Sequence, residues 1–249
     1  MAKATTMTAA LTARLKPCPF KAMQIIEIYK SIQGESSYAG LPCVFVRLAG
    51  CNLRCVWCDS EYTFLGGQRM TLAEVEGEVR RLTPSRGLVE ITGGEPLLQE
   101  QEAVTLMHNL LAAGYTVLLE TSGERPLGRV PAQVVKIVDV KCPDSGEGET
   151  FRADNLGFLN PRDEVKFVIA TRHDYVFARD FSREHELTLK VASVIFSPAF
   201  RKDAAGTRDA SHCLVDPQEL AEWMLADGLN ARLGLQIHKF IWEPSLKGV

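Results

Sequence analysis

The sequence predicts an α/β fold: a partial, open parallel α/β barrel of about six strands. Short apolar runs typical of buried strands alternate with runs that repeat apolar residues at helical spacing. Strands separated by amphipathic helices need crossover connections, which place the strands parallel in one sheet. The strands are too few for a closed eight-stranded barrel, and polar residues follow several of them, at the edge where barrel enzymes carry their active sites.

Strand-like runs recur from residue 44 onward, and helical patterns lie between them. The strand-like runs cover residues 44–48, 88–92, 115–121, 134–140, 164–170, 191–196 and a closing run over 235–241. Helices are predicted over residues 70–82, 99–113, 177–185 and 217–227. Thr71 and Glu74 form a capping-box pattern at the first helix. Asp216 precedes Pro217 as the expected N-cap of the last helix.

Composition limits both the compartment and the partners. The 249 residues are 46% hydrophobic, which is ample for a core, and the net charge of −3 gives no attraction to nucleic acid or to a membrane surface. No run approaches the roughly 20 apolar residues of a membrane span, and no secretory signal is visible. We therefore expect a cytoplasmic protein, with residues 1–22 as a loose extension and residues 23–249 as one domain.

Three cysteines in a C-x3-C-x2-C run, Cys51, Cys55 and Cys58, carry most of the functional information. Three thiolates on one short loop can hold three irons of a four-iron four-sulfur cluster and leave the fourth iron open to a ligand. The alternative is a structural zinc site, which needs a fourth ligand such as Cys43, Cys18 or a distant histidine. The usual second C-x2-C pair is missing, which disfavours zinc.

A second motif, Gly93-Gly94-Glu95-Pro96, follows the predicted strand over residues 88–92. Glycines let a backbone approach a ligand closely, because they carry no Cβ. The carboxylate of Glu95 could accept a hydrogen bond from the ammonium group of a ligand. Ser122 and Lys141 come after later strands, so they are expected at the same edge of the sheet.

Together, the cysteine run and the glycine motif resemble the radical S-adenosylmethionine superfamily. In that superfamily, the open iron of the cluster chelates S-adenosylmethionine, and an electron from the cluster releases a 5′-deoxyadenosyl radical. The resemblance implies that Trp57, the aromatic residue before the third cysteine, lies near the adenine. It also implies that the glycine motif binds the amino group of the methionine part.

The chain resembles one family within it, the 7-carboxy-7-deazaguanine synthases of queuosine-precursor biosynthesis. The motifs that carry this resemblance lie in residues 29–36, 40–47, 51–62, 92–96, 120–123, 139–141 and 236–239. The resemblance implies that the substrate is 6-carboxy-5,6,7,8-tetrahydropterin, which undergoes ring contraction and loses ammonia. It implies that S-adenosylmethionine is regenerated and that Mg²⁺ is needed. Cys142 stands where relatives commonly have proline.

The resemblance also implies roles for individual residues, none of them catalytic beyond the cofactors. S-adenosylmethionine would contact Trp57, Gly93, Gly94, Glu95, Ser122, Lys141 and Gln236. The substrate would contact Ile32, Gln33, Gly34, Glu35, Arg47 and Thr92. Magnesium would bind the hydroxyl of Ser60, with Asp59 as a rival because a carboxylate is the stronger ligand. His238, Lys239 and the tail over residues 244–249 receive no firm role, although relatives fold their chain end over the substrate.

The resemblance implies a homodimer and a flavodoxin or ferredoxin as electron donor. The main alternative is a glycyl-radical-enzyme activase of the same superfamily, which shares the cysteine spacing but needs a protein partner and consumes S-adenosylmethionine. The block from Ile32 to Glu35 ahead of the cysteines argues against that alternative.

Overall fold

The structure is a computed structural model that describes residues 22–202, 204 and 206–249. One mixed sheet forms its centre, and helices cover the outer face. The strands are β1 (Ala22–Ile32), β2 (Pro42–Leu48), β3 (Gln68–Thr71), β4 (Leu88–Gly93), β5 (Thr116–Thr121), β6 (Val135–Asp139), β7 (Glu164–Ile169), β8 (Ser193–Pro198) and β9 (Arg232–Leu233). The helices are α1 (Leu72–Leu82), α2 (Glu100–Ala112), α3 (Arg172–Glu184), α4 (Leu187–Lys190), α5 (Pro217–Ala226) and α6 (His238–Ile241).

The sheet is open and mostly parallel, which confirms the predicted fold class. Its order is β3-β1-β2-β4-β5-β6-β7-β8-β9, so β3 and β9 form its two edges. Every neighbouring pair from β2 to β9 is parallel, whereas β1 runs antiparallel to both β2 and β3. The C-terminal ends of the parallel strands therefore meet at one edge. In the part of the chain that the structure describes, no helix has the length and apolarity to cross a membrane.

The local capping signals in the sequence are confirmed. The side chain of Thr71 accepts a hydrogen bond from the backbone N–H of Glu74, and the carboxylate of Glu74 accepts one from the backbone N–H of Thr71. Asp216 caps α5 by accepting from the backbone N–H of Gln218. The helix predicted over residues 177–185 begins earlier, because Thr171 caps the first turn of α3. Most predicted strands lie within one or two residues of the observed bounds.

The strand count differs from the sequence prediction, because the described sheet has nine strands rather than about six. The long antiparallel strand β1 and the short edge strands β3 and β9 were not predicted, and the closing strand predicted over residues 235–241 is wrong. The last strand, β9, ends at Leu233, and the sheet ladder stops with the bond from the N–H of Gly234 to the carbonyl of Phe196. The chain then turns inward, because the next backbone bonds join Ile237 to the carbonyl of Gly34 and close the short helix α6.

The predicted extension, residues 1–22, lies outside the described residues except for Ala22, which begins β1. The predicted boundary between extension and domain therefore stays a prediction. The same holds for Cys18, which was one of the possible fourth ligands of a zinc site.

Inward-facing residues change character along the strands. Near the start of the strands they form a small apolar cluster, Cys43, Phe45, Leu88, Leu118, Val135 and Ile137. Two residues further along the same strands, the same face carries Arg47, Glu120 and Asp139, because side chains on one face of a strand recur every second residue. The opposite face of the sheet packs against the helices in the main core. Charged side chains on this face therefore concentrate toward the C-terminal edge, whereas at the start of β7 the buried carboxyl of Glu164 is bonded to Ser37.

A buried ion pair stabilises the helix-covered face. The ammonium of Lys136 on β6 lies 2.8 Å from a carboxylate oxygen of Asp163, and both side chains are almost fully buried. Asp163 also accepts hydrogen bonds from the backbone N–H groups of Lys136 and Asn160, at 2.9 and 2.8 Å. The carboxylate thus ties β6 to the turn that precedes β7. Loss of either partner would leave an uncompensated charge inside the protein.

We expect Lys136→Met to lower the free energy of unfolding by about 3–5 kcal/mol, because Asp163 then stays buried without its cation. The exposed pair of Arg81 and Glu78 provides a matched control. Arg81→Met should change the free energy by less than about 0.5 kcal/mol. Urea unfolding followed by circular dichroism measures both variants. A change in Lys136→Met as small as that in the control would contradict the structural role of the pair.

Candidate active site

A cavity of about 250 Å³ lies inside the sheet at the C-terminal edge. The structure brings nearly all of the predicted site residues into its wall. These are Ile32, Gln33, Gly34, Glu35, Arg47, Cys51, Cys55, Trp57, Cys58, Ser60, Thr92, Gly93, Gly94, Ser122, Lys141 and Gln236. Glu95 is the exception, because its side chain lies behind the wall. Residues from both ends of the chain thus meet in one place.

The three-cysteine loop follows β2, and all three thiols are partly buried against the cavity. Burial raises the pKa of each thiol, to about 11 for Cys55, although the nearby ammonium of Lys141 acts in the opposite direction. Metal binding would therefore release protons from these groups. Three soft thiols on one wall are the donor set of an iron–sulfur cluster that leaves one iron open. In residues 22–202, 204 and 206–249, no three histidine, cysteine or acidic side chains lie close enough together to bind one metal ion. The assignment of a cluster site therefore depends on the three thiols lining the same wall of the cavity.

Cys43 does not join this loop. It lies buried at the start of β2 in the apolar floor cluster, whereas the loop begins after the end of the strand. Five strand residues span roughly 16 Å. The fourth ligand that a zinc site would need is therefore not Cys43.

The double glycine is needed for packing between β4 and the cysteine loop. A Cβ on Gly93 would lie 2.8 Å from the backbone nitrogen of Leu48, and one on Gly94 would lie 2.5 Å from the Cβ of Cys51. The backbone of Gly93 also has a φ of 155°, in the region that favours glycine. The N–H of Glu95 donates to the carbonyl of Gly50 at 2.8 Å. The motif thus holds the cysteine loop as well as lining the cavity.

Glu95 is completely buried and joins the ends of β4 and β5. Its carboxylate accepts from the hydroxyl of Thr121, from both the N–H and the hydroxyl of Ser122, and from the N–H of Leu97. Burial raises the pKa of this carboxyl, and the hydrogen bonds partly offset that rise. In this geometry Glu95 positions Ser122 at the cavity wall, and its predicted contact with a ligand stays a prediction.

A buried ammonium organises the deep end of the cavity. Lys166 on β7 donates to Glu35 at 2.7 Å and also to Glu120, and lies 3.8 Å from Asp139. Gln236 donates to the second oxygen of Glu35 at 2.9 Å. Burial alone would raise the pKa of Glu35, but Lys166 and then His238 outweigh it and lower the pKa to about 2. Glu35 is therefore a fixed anion at neutral pH.

Arg47 is held in place by the tyrosine and glutamate of β1. Its Nε donates to Glu27 and its Nη2 donates to the hydroxyl of Tyr29, both at 2.8 Å. The hydroxyl of Tyr62 donates to the same oxygen of Glu27 at 2.9 Å. Burial raises the pKa of Tyr29 to about 12 despite the opposing effect of Arg47. The guanidinium is thus pre-positioned at the wall, as a planar donor suited to a carboxylate.

Ser60 and Asp59 lie beside the short helix α6. The hydroxyl of Ser60 donates to Asp59 at 2.8 Å, and the ammonium of Lys239 lies 2.6 Å from the other oxygen of Asp59. Burial would raise the pKa of Asp59, but Lys239 holds it below its usual range. A hydroxyl that donates its proton keeps its lone pairs for another partner. The oxygen of Ser60 is therefore available to a cation, while Asp59 is engaged by Lys239.

His238 faces the same end of the cavity. Its ring packs against Gly34, where a Cβ would lie 3.0 Å from the ring carbon Cγ, and its Nε2 is 3.9 Å from Glu35. Burial lowers the pKa of this imidazole, although Glu35 opposes the change. Gly34 is therefore required by the close approach of α6. The tail over residues 244–249 also lines the cavity, with Lys247 4.2 Å above the ring of Tyr62.

Four charged residues inside the barrel received no role from the sequence: Glu90, Glu120, Asp139 and Lys166. Glu120 and Asp139 stood in motifs that carry the family resemblance, whereas Glu90 and Lys166 were missed. Each interrupts an apolar strand run, as in Leu88-Val89-Glu90-Ile91, and that interruption was the available signal. A charge in a buried strand needs a partner, so such positions indicate a polar interior. The Oδ1 of Asp139 is buried and has no hydrogen-bond partner among the described residues, which leaves an acceptor for a ligand.

Comparison with known proteins agrees with this geometry. A family model described as the Radical SAM superfamily matches residues 46–141. The 7-carboxy-7-deazaguanine synthase of Koribacter versatilis is 69% identical over 227 residues, which cover 91% of this chain and 100% of that protein. The synthase of the same name from Chlorobaculum tepidum is 43% identical, with 91% and 97% covered.

Solved structures share the fold. The crystal structure of QueE from Escherichia coli aligns with a TM-score of 0.64 at 22% identity, covering 86% of this chain and 93% of that one. Streptococcus suis SuiB bound to S-adenosylmethionine aligns with a TM-score of 0.51 at 14% identity, covering 74% and 44%. At these identities the structures support the fold alone. The two synthases are similar in sequence over 91% of this chain, which is enough to assign a family. The chain therefore belongs to the 7-carboxy-7-deazaguanine synthase family of radical S-adenosylmethionine enzymes.

Proposed function

We propose that this enzyme converts 6-carboxy-5,6,7,8-tetrahydropterin into 7-carboxy-7-deazaguanine with loss of ammonia, a carbon–nitrogen lyase reaction on the route to queuosine. The observation that carries the proposal is one cavity that joins the three-cysteine loop to the polar groups around Gln33 and Glu35. When bound, the four-iron four-sulfur cluster and S-adenosylmethionine supply a 5′-deoxyadenosyl radical that takes a hydrogen atom from the substrate. The names of the two relatives support this product.

The cofactor end of the cavity is built from the loop and the strand ends. Cys51, Cys55 and Cys58 would hold the cluster, which leaves one iron for S-adenosylmethionine. Trp57 and Ser122 line the wall beside this loop. Lys141 donates to Asp139 at 2.8 Å, so its ammonium is fixed near the thiols. These residues, with Gly93 and Gly94 and with Gln236, would bind and orient the nucleotide.

The substrate end offers charge complementary to a carboxylated pterin. Arg47 would bind the carboxylate, because its guanidinium is anchored on two sides before the substrate arrives. Glu35 would accept from the amino-pyrimidine edge, since it stays ionised. Ile32, Gly34 and Thr92 would complete the contacts. Pre-positioned charges of this kind hold the reacting carbon near the radical at little entropic cost.

Magnesium would bind at Ser60. Mg²⁺ prefers oxygen donors and keeps several waters, so one hydroxyl together with substrate oxygens can hold it. The donor chemistry of the wall fits, because the oxygen of Ser60 keeps its lone pairs while Lys239 occupies Asp59. This arrangement favours Ser60 over Asp59 as the ligand. Metal and substrate would then bind together.

The reaction also needs an electron from outside the chain. A flavodoxin or ferredoxin is the expected donor, and a cytoplasmic homodimer is the expected form of the enzyme. The glycyl-radical activase is the less favoured function, because a relative 69% identical over its whole length carries the synthase name.

The proposed function is tested by an anaerobic assay with reduced, iron-reconstituted protein and carboxytetrahydropterin. Mass spectrometry should detect 7-carboxy-7-deazaguanine, with no net consumption of S-adenosylmethionine over many turnovers. An intact cluster without product would reject the synthase. Stoichiometric 5′-deoxyadenosine together with a radical on a partner protein would favour the activase.

Cys58→Ala should lose the cluster, because two thiolates cannot replace three as ligands. We expect iron content and the visible absorbance of the cluster to fall well below those of the unmodified protein, with no detectable product. Cys213→Ala is the matched control, since Cys213 lies in a separate apolar cluster with Phe200. Full iron content in Cys58→Ala would contradict the assignment.

Ser60→Ala should raise the Mg²⁺ concentration needed for substrate binding, by about tenfold or more, because the metal loses its protein oxygen. Ser60→Thr keeps the hydroxyl and should behave like the unmodified protein. Binding of the oxidised substrate analogue 6-carboxypterin, titrated with and without Mg²⁺, gives a readout apart from turnover. Equal Mg²⁺ dependence in Ser60→Ala and Ser60→Thr would exclude Ser60 as the ligand.

A further inference from the structure

Two carboxyl groups meet inside the barrel, at Glu90 on β4 and Glu120 on β5. The register pairs Glu90 with Leu118, so Glu120 lies on the same inward face two residues further along its strand. Glu120 lies close enough to act on Glu90, because its charge and its side-chain interaction both raise the pKa of Glu90. Glu90 is 1% exposed, whereas Glu120 is only partly buried at the cavity wall. Glu120 accepts from Lys166, but neither residue has so far been given a part in the reaction.

The neighbours of Glu90 leave it without a cation. Its Oε2 accepts from the amide nitrogen of Gln33 at 3.1 Å. The orientation of that amide is fixed, because its oxygen accepts from the N–H groups of Glu35 and Ser36 at 2.8 and 2.9 Å. The ammonium of Lys166 donates to Glu120 and Glu35 instead. With Glu120 beside it and no cation in contact, the buried carboxyl of Glu90 favours its neutral form.

The electrostatics agree with a proton on Glu90. Burial raises the pKa of Glu90 well above its usual range, and Glu120 raises it further. The titratable groups that face the pair are Glu35 after β1, Tyr29 on β1, Cys43 on β2, Lys166 on β7 and His238 on α6. Glu35 is a fixed anion, and burial raises the pKa of both Tyr29 and Cys43. Burial and the neighbouring carboxylates therefore act together to favour a proton on Glu90.

We propose that Glu90 and Glu120 act as one acid–base pair that exchanges protons with the substrate during ammonia loss. Glu120 meets the substrate, and Glu90 is the positioning residue that stores the proton behind it. This inference rests on the proposed function, because it assigns a step of that reaction. The pair differs from the cofactor groups, since it lies on the deep wall with Gln33 and Lys166.

The step balances without an oxidant or a reductant. After ring contraction, the carbon–nitrogen bond breaks and its electron pair stays on nitrogen, which takes the proton of the pair and leaves as ammonia. The carbon–hydrogen bond on the adjacent ring carbon also breaks. Its electron pair forms the new ring double bond, and its proton returns to the pair. The enzyme ends the step as it began, with one proton on the two carboxyls.

Glu90→Gln tests the inference, because the amide keeps the shape and the neutral charge but cannot supply the proton. Ammonia loss should slow by about 10²–10⁴-fold, the usual contribution of general acid–base catalysis. Hydrogen abstraction, followed as deuterium transfer from labelled substrate into 5′-deoxyadenosine or recovered S-adenosylmethionine, should continue. A ring-contracted isomer with the mass of the substrate should therefore accumulate. Glu90→Asp keeps a carboxyl and should recover part of the rate.

Cys43→Ala is the matched control, because Cys43 is buried beside Glu90 and has no proposed part in the reaction. It should form product at the unmodified rate. Product formation by Glu90→Gln at that same rate, with no isomer, would overturn the inference. Should Glu90→Gln lose iron or structure, Glu120→Gln gives the second measurement with the same expected isomer and the same overturning result. Absence of product from the unmodified protein is a separate outcome, which rejects the proposed function itself.

Discussion

The buried ammonium of Lys166 is the interaction on which the interior of this barrel depends. It lies among Glu35, Glu120 and Asp139, which reach it from a loop and from two neighbouring strands. Without this cation, the carboxylates would repel one another in a space that excludes most water, and burial would drive them toward their neutral forms. Lys166 therefore lets a mostly apolar sheet carry a polar cavity. It also explains why the pKa of Glu35 is lowered while burial raises the pKa of Glu90, which has no cation beside it.

Close backbone packing fixes the other end of the cavity. The double glycine allows β4 to touch the end of β2, and the bond from Glu95 to Gly50 holds the start of the cysteine loop against it. Glu95 then extends the same contact to Ser122 on β5. One motif thus sets the position of the cysteines relative to the strand ends. A cofactor that binds the cysteines would meet a wall that is already formed.

The C-terminal segment completes the site by leaving the sheet. The sequence prediction placed a final strand over residues 235–241. The observed chain stops pairing at Gly234 and turns inward, where Gln236 binds Glu35 and Lys239 binds Asp59. Those polar partners lie more than 170 residues away in sequence. A local pattern cannot register such contacts, so the strand prediction was wrong. The antiparallel strand β1 was not predicted either, because its apolar positions do not alternate.

The sequence by itself determined the fold class, the capping signals and the motif residues of the cavity wall, because these follow from local spacing and from residues with few chemical roles. Three cysteines at short spacing are typical of a metal or cluster site, and two glycines after a strand permit close approach of the backbone. Only the tertiary structure decided which charges pair inside the barrel. Glu90, Glu120, Asp139 and Lys166 come from four strands, and their pairing depends on distances and burial that no linear pattern contains.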